Sequence, residues 1–342
     1  MKNMKEVISY LLDYKTLTKA EAKEILKNIA RGQYQPAQVA AFMTIYMMRS
    51  ITVEELEGFR DAMLELCVPV DLSAYDVIDL CGTGGDGKNT FNISTLASLV
   101  VAAAGQPVAK HGNYGVSSVC GSSNVLEALG VQFTNDEAQL RRQIEEAGIC
   151  FLHAPLFHPA MKNVAPVRRE LGVKTFFNML GPMVNPAFPA KQMVGVFSME
   201  LLRLYAYLYQ RSDKRFAIVH SLAGYDEVSL TSAFKIMTHE AESIMEPEEL
   251  GLPRLRAEEL HGGQTIDEAA ALFLKVLQGQ GSQAQEAAVI ANAAVALHVA
   301  GLYASLDACR EAATEALKSG EALRRLQIIQ SLSKSNPKTV QL

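Results

Sequence analysis

The chain has no tryptophan, five cysteines and fewer basic than acidic residues over its 342 positions. Each shortage removes a class of protein. The cysteines, Cys67, Cys81, Cys120, Cys150 and Cys309, are odd in number and scattered, without a Cys-x-x-Cys pair. That pattern fits neither a disulfide framework nor a zinc ribbon, and predicts reduced thiols in a cytoplasmic protein. Lys and Arg number 32 against 37 Asp and Glu, a net charge of −5. An extended nucleic-acid footprint needs a clustered excess of basic residues, so no nucleic-acid partner is expected. No signal pattern opens the chain, and no apolar run reaches about 18 residues without polar interruption, so no membrane partner is expected. The richest run, 284–300, contains Gln285, Glu286, Asn292 and His298 and reads as a buried core helix. His153, His220, His239, His261 and His298 show no metal-ligand spacing. No Walker A loop occurs, and Gly-x-Gly-x-x-Gly does not occur with the flanks of the Rossmann fingerprint.

What is present falls into two patterns. Residues 1–70 read as all helix. Thr18-Lys19-Ala20-Glu21 and Thr52-Val53-Glu54-Glu55 match the capping box, and Pro36 suits a first helical turn. Met43, Met47 and Met48 suit core filling as well as a partner surface. After a linker at 68–72, strands expected at 77–81, 107–110, 131–133, 149–153, 193–197 and 215–220 alternate with helices. Segment 159–181 reads helical, interrupted by Pro166. Irregular strands are expected at 233–238 and 242–245, and helix from 267 onward. Such alternation predicts parallel βαβ units with ligands at the carboxyl ends of the strands.

The chemistry concentrates in 79–130. An apolar strand breaks into Gly82-Thr83-Gly84-Gly85-Asp86-Gly87-Lys88-Asn89-Thr90-Phe91-Asn92-Ile93-Ser94-Thr95, then a helix. Glycines admit a ligand close to backbone N–H groups, and a helix N-terminus favours an anion. A second strand leads into Lys110-His111-Gly112-Asn113-Tyr114-Gly115-Val116-Ser117-Ser118 and then Gly121-Ser122-Ser123-Asn124. Two such loops on neighbouring strands suit one polyphosphate. Asp86 would repel phosphate unless a metal or an amine sits nearby. Asp226-Glu227 follows a strand and a glycine turn. Paired carboxylates there suit Mg2+, or a solvated turn. Lys110 suits a phosphate; His111 fits a site or a structural role, and Asn113 a site or a turn; Arg168 by itself reads as part of a solvated helix face.

These runs, with His158-Pro159-Ala160-Met161-Lys162, Arg168-Arg169-Glu170-Leu171-Gly172, Phe177-Asn178-Met179-Leu180-Gly181-Pro182 and Gly224-Tyr225-Asp226-Glu227, resemble the anthranilate phosphoribosyltransferases of tryptophan biosynthesis over essentially the whole chain. The resemblance implies an α/β fold: a helical domain of residues 1–70 joined by 160–185, and a larger domain of 71–342 with a mostly parallel sheet. It implies transfer of phosphoribose from 5-phosphoribosyl diphosphate to the amino group of anthranilate, without a covalent nucleophile. Phosphoribosyl diphosphate would meet Gly82, Gly85, Asp86, Thr90, Asn92, Ile93, Ser94, Thr95, the run 110–118 (Lys110, His111, Gly112, Asn113, Tyr114, Gly115, Val116, Ser117, Ser118) and Ser122. Anthranilate would meet Gly82, Asn113, His158 and Arg168. Ser94, Asp226 and Glu227 would bind Mg2+, two ions per monomer, and the helical domain would form a homodimer. The chain departs from the family's usual residues at Tyr114 (Arg) and Asn124 (Asp), and Cys120 and Tyr225 are less usual. A pyrimidine-nucleoside phosphorylase-like enzyme and a non-catalytic nucleic-acid-binding relative are the alternatives.

Overall fold

The computed structural model describes residues 3–115 and 119–334. The chain divides into two compact units, Met1–Pro69 with Pro155–Pro186, and Val70–Ala154 with Ala187–Leu342. Taken in order, the elements are α1 (Met4–Leu12), α2 (Lys19–Ala30), α3 (Pro36–Met48), α4 (Val53–Leu66), β1 (Ile78–Gly82), α5 (Ile93–Ala103), β2 (Val108–Gly112), α6 (Ser122–Ala128), α7 (Glu137–Ala147), β3 (Ile149–His153), α8 (Ala154–Phe157) and α9 (Ala165–Leu171). They continue with β4 (Lys191–Gly195), α10 (Met199–Gln210), β5 (Arg215–Ser221), β6 (Phe234–Met237), β7 (Glu242–Met245), α11 (Ile266–Leu277), α12 (Gln283–Ala300), α13 (Leu306–Lys318) and α14 (Glu321–Lys334).

The helical unit is held by its caps and by an aromatic core. Thr18 and Thr52 each form the expected capping box, with Glu21 and Glu55. Glu55 is fully buried, and it also accepts hydrogen bonds from Leu17 N, the Tyr46 hydroxyl and Arg49. A buried carboxylate is tolerable only with such partners. Phe42, Tyr46, Phe59 and Phe176 pack ring against ring, Phe59 and Phe176 stacked at 4.5 Å. Phe176 comes from the second segment, which is thereby fixed onto the first. Met43 joins this core, whereas Met47 and Met48 are exposed. Segment 159–181 is not one interrupted helix. It splits into a 3-10 turn at Pro159–Asn163, α9 and another 3-10 turn at Phe176–Met179, and Pro166 lies in the first turn of α9. A proline has no N–H to lose there, so it starts a helix rather than breaking one.

The second unit is built on a seven-stranded sheet of order β3-β2-β1-β4-β5-β6-β7. The pairs from β3 through β5 are parallel; β6 and β7 return antiparallel. The link from β5 to β6 contains no helix, whereas parallel crossovers are usually made by one. Residues 131–133 form no strand. They bridge α6 and α7, with Val131 buried in the core while the backbone stays off the ladder. α12 is buried almost all round, as a helix without a polar face must be.

Candidate active site

Strand order reverses between β1 and β4, since β1 leads outward to β2 and β4 to β5. In open parallel sheets the ligand crevice lies outside the carboxyl ends of the strands at such a reversal. The loop 82–95 leaves β1 at this point. Thr83 N continues the pairing onto Gly195 O at 2.9 Å, at the end of β4. Asp226, from the turn after β5, fits against both strand ends. A Cβ at Gly82 would overlap its Oδ2, and a Cβ at Gly195 would overlap its backbone oxygen. The Asp226 carboxylate thus occupies the space a Cβ would take at Gly82, and its backbone the space at Gly195.

Three acids converge there. Gly84 N donates to Asp226 Oδ2 at 2.7 Å. Thr90 Oγ1 donates to Glu227 Oε2 at 3.4 Å, and the Ser94 backbone N–H, in the first turn of α5, also donates to Glu227. Asp226 and Glu227 are 8% and 9% exposed, so they are not residues of a solvated turn. Burial, then the Asp86 charge, pushes the Asp226 carboxyl up to about 7; the Gly84 N–H opposes this. Burial, then Asp226 and Asp86, pushes Glu227 well above the ordinary carboxylate range. Among the described residues no group of three His, Cys, Asp or Glu side chains forms a ready-made metal cage. The donor set still suits Mg2+. That ion needs only one or two carboxylates, takes its other ligands from water and phosphate, and would offset the repulsion among these acids.

The floor beneath the loop is polar and closed. Asp79 on β1 is fully buried and accepts from His111 N at 3.2 Å and Gln192 Nε2 at 3.0 Å. Lys110 on β2 is 2% exposed, and its Nζ donates to Leu80 O at 2.5 Å and Ser94 Oγ at 3.4 Å. Burial pulls its pKa down, while Asp79, Cys81 and Glu227 push the other way. The ammonium is thus directed at the Ser94 hydroxyl and the backbone of β1. Thr95 and Ile93 are buried, and the Asn92 amide donates to Cys120 O at 3.0 Å, joining the start of α5 to the second loop.

That second loop is tied to the start of α6. Ser123 N and Ser122 Oγ donate to Asn113 O at 3.1 and 3.3 Å. Gly115 N and Gly121 N both donate to Asn124 Oδ1, at 2.9 and 3.0 Å. Tyr114 OH donates to Glu127 Oε1 at 2.8 Å. Val116, Ser117 and Ser118 lie outside the described residues.

His158 and Arg168 belong to the helical unit. His158 is buried, and its Nε2 pairs with Val184 O at 3.0 Å, which makes that nitrogen the donor. Arg168, in the last turn of α9, lies with its guanidinium 5.3 Å from the centre of the Phe177 ring. Burial lowers its pKa, and no ion pair to it occurs among the described residues. A half-buried guanidinium on an aromatic face, without a carboxylate, suits an aromatic acid.

The site also contains residues that pattern reading passes over. Phe91 N donates to Leu260 O at 3.0 Å and Gly262 N to Asn89 O at 2.9 Å, so 260–263 clamps the first loop. Lys88 lies over the Tyr225 ring at 4.9 Å. Asp79 carried a signal, a lone acid in an apolar strand; segment 260–263 carried only its paired glycines.

A family model described as the glycosyl transferase family, a/b domain, matches residues 74–323, and the helical bundle domain of the same family matches 5–67. The chain is 57% identical to an anthranilate phosphoribosyltransferase of Flavobacterium johnsoniae, over 96% of its own length and 100% of that protein. It is 54% identical to one of Bacteroides fragilis, over 95% and 98%. Among solved structures it is similar to the anthranilate phosphoribosyltransferase of Thermus thermophilus, with a TM-score of 0.89 and 38% identity over 96% of this chain and 99% of that one. The Saccharomyces cerevisiae enzyme in complex with PRPP and Mg gives a TM-score of 0.89 at 26% identity, covering 97% and 98%. A full-length match at such identity, on a sheet with an acidic crevice where its strand order reverses, leaves one assignment: the chain belongs to the anthranilate phosphoribosyltransferase family.

Proposed function

We propose that this enzyme transfers the phosphoribosyl group of 5-phosphoribosyl diphosphate to the amino group of anthranilate, a step of tryptophan biosynthesis. The observation that carries the reading is the full-length identity of 57% to an anthranilate phosphoribosyltransferase. The acidic crevice favours it over a phosphorylase of similar architecture, since a diphosphate donor brings a metal and inorganic phosphate needs none. The anthranilate nitrogen forms a bond to the anomeric carbon, the bond from that carbon to the diphosphate oxygen breaks, and the nitrogen gives up a proton. The amine lone pair is already available, so no side chain need act as nucleophile. Asp226, Glu227 and the Ser94 hydroxyl are the residues that would hold Mg2+, two ions per monomer. When bound, the metal neutralises charge on the departing diphosphate. Backbone N–H groups of 82–95 and the donors of 110–115 and Ser122 bind and orient the phosphates. Orientation of this kind supplies much of a two-substrate enzyme's rate.

Arg168 is assigned to the anthranilate carboxylate, and His158 and Asn113 to the acceptor's surroundings. The exposed Met47 and Met48 at the end of α3 support a homodimer through the helical unit, and the cytoplasm is its place of work. Sedimentation at micromolar concentration reads the dimer, and a monomer there rejects it. The function is tested by turnover with anthranilate, phosphoribosyl diphosphate and Mg2+, followed as loss of anthranilate fluorescence; folded protein without turnover rejects it. Arg168→Ala should cost about 10- to 150-fold in kcat/KM, as loss of a hydrogen bond to a charged group does. That loss should appear in the KM for anthranilate far more than in that for the diphosphate. Equal effects on both substrates would take Arg168 out of acceptor recognition.

A further inference from the structure

Tyr114 stands in the loop after β2, where an extra cation would be expected if charge alone held the phosphates. It is 37% exposed, and its hydroxyl reaches along α6 to Glu127 Oε1 at 2.8 Å. The edge of its ring meets the His153 imidazole at 4.8 Å, and that imidazole stacks on Phe133 at 4.6 Å and 14°. His153 is itself fixed, because its Nδ1 pairs with the Ser123 hydroxyl at 2.8 Å. The phenol therefore spans from the C-terminal end of β3, which carries His153, to the C-terminal end of α6. On one side of it, Asn113 offers its carbonyl to Ser122 and Ser123 and its side-chain oxygen to Tyr114 N at 2.8 Å. On the other, Gly115 N is held by Asn124. Every one of these contacts is made by a neutral group except the last oxygen, that of Glu127.

We propose that Tyr114 is a positioning residue for the donor substrate. By bonding Glu127 and resting on His153 it holds Asn113 and the start of α6 in one arrangement, so these groups meet phosphate already in place. Its contribution is order at Asn113 and the start of α6, not charge at the ligand. A flexible loop must be immobilised on binding, and ordering it beforehand removes that cost. The proposal rests on the reading that this chain binds 5-phosphoribosyl diphosphate.

The test compares Tyr114→Phe, Glu127→Ala, Glu127→Gln and the Tyr114→Phe/Glu127→Ala pair. Calorimetric titration with phosphoribosyl diphosphate and Mg2+ is run beside steady-state kinetics and thermal unfolding. Tyr114→Phe and Glu127→Ala should each weaken donor binding and raise the donor KM by about 3- to 10-fold, the factor for one net hydrogen bond. kcat and Tm should stay near wild type, Glu127→Gln should restore binding because it keeps an acceptor oxygen, and the pair should lose no more than either alone. Unchanged binding by Tyr114→Phe, multiplying losses in the pair, or a fall in Tm with equal loss in kcat and KM would each overturn the proposal. Wild-type protein that binds the diphosphate while Tyr114→Phe binds it equally well removes the proposal alone; wild-type protein that does not bind it removes the functional reading too.

Discussion

The loop leaving β1 and the loop leaving β2 end side by side on the sheet yet are organised in opposite ways. The first gathers acids: Asp86 within it, Asp226 and Glu227 against it, with burial and mutual repulsion raising both carboxyl pKa values of the pair. The second has no charged residue from Asn113 to Gly121, and its described residues are tied by neutral donors and acceptors, Asn124 foremost, with one carboxylate, that of Glu127, at its edge. An acidic loop cannot receive phosphate unaided, because like charges in a low-dielectric pocket repel strongly. A loop without charged residues adds no such repulsion. On the proposed reading, the contrast teaches that one polyphosphate is met by two devices in a single fold: one needing a cation to complete it, the other tied in place by side chains of its own helix.

The sharpest way to break the contrast is to neutralise the acids. Asp226→Asn with Glu227→Gln should lower turnover at limiting Mg2+ by about 100-fold or more, since a metal supplies several kcal/mol of charge stabilisation. In chelating buffer the same variant should melt at a higher temperature than wild type, because two buried, repelling groups have gone. Activity retained at limiting Mg2+ would remove the pair from the metal. A lower melting temperature would show that the acids hold the loop by contacts and do not strain it.

Sterics should separate the loops next. A Cβ at Gly121 would overlap Gly115 N and lie 2.6 Å from the Tyr114 carbonyl carbon, all backbone. A Cβ at Gly82 meets chiefly the end of the Asp226 side chain, which can turn aside. Overpacking of a closed site costs about 1–3 kcal/mol. Gly121→Ala should therefore lose stability by that amount and weaken donor binding at every Mg2+ concentration. Gly82→Ala should keep its stability and raise the Mg2+ requirement. If the two variants behave alike, the loops are not two devices.

Much of this is legible in the sequence alone. Glycine runs ending apolar strands, the capping boxes of α2 and α4, and the unbroken apolar character of α12 each reflect a local rule, and each element formed where that rule put it. The acids of 226–227 were readable as a pair, but not their burial, which depends on Gly195 arriving from another strand. Lys110 reads as a phosphate partner rather than an ordinary surface lysine; its bond to Leu80 and the charge of Asp79 hold it beneath the loop, and nothing in its own neighbourhood foretold that burial. Residues 131–133 have a strand's composition and no ladder, because ladder partners are a property of the sheet. The clamp at 260–263 was silent for the same reason: backbone bonds between segments so far apart in the chain leave no spacing to recognise.

The smallest effect concerns the platform under the second loop, which the contrast requires to be uncharged. His153 is 2% exposed, and burial pulls its pKa from 6.5 down to about 4. The unfolded chain thus binds a proton below about pH 6.5 that the folded chain refuses until about pH 4. Stability from this group is complete above that range and is lost as pH falls through it, at about 1.4 kcal/mol per pH unit and about 3 kcal/mol in all. Replacing the imidazole removes this dependence. His153→Phe keeps a ring against Phe133 and Tyr114 but gives up the bond to Ser123, so it should be less stable at pH 7.5. Its disadvantage should shrink steadily between pH 6.5 and pH 4.5 in urea unfolding curves, while donor binding at pH 7.5 changes least of all the variants. A constant difference across that range would mean that His153 takes up its proton as readily folded as unfolded. The second loop would then rest on a cation in mild acid, and its neutrality would hold only at neutral pH.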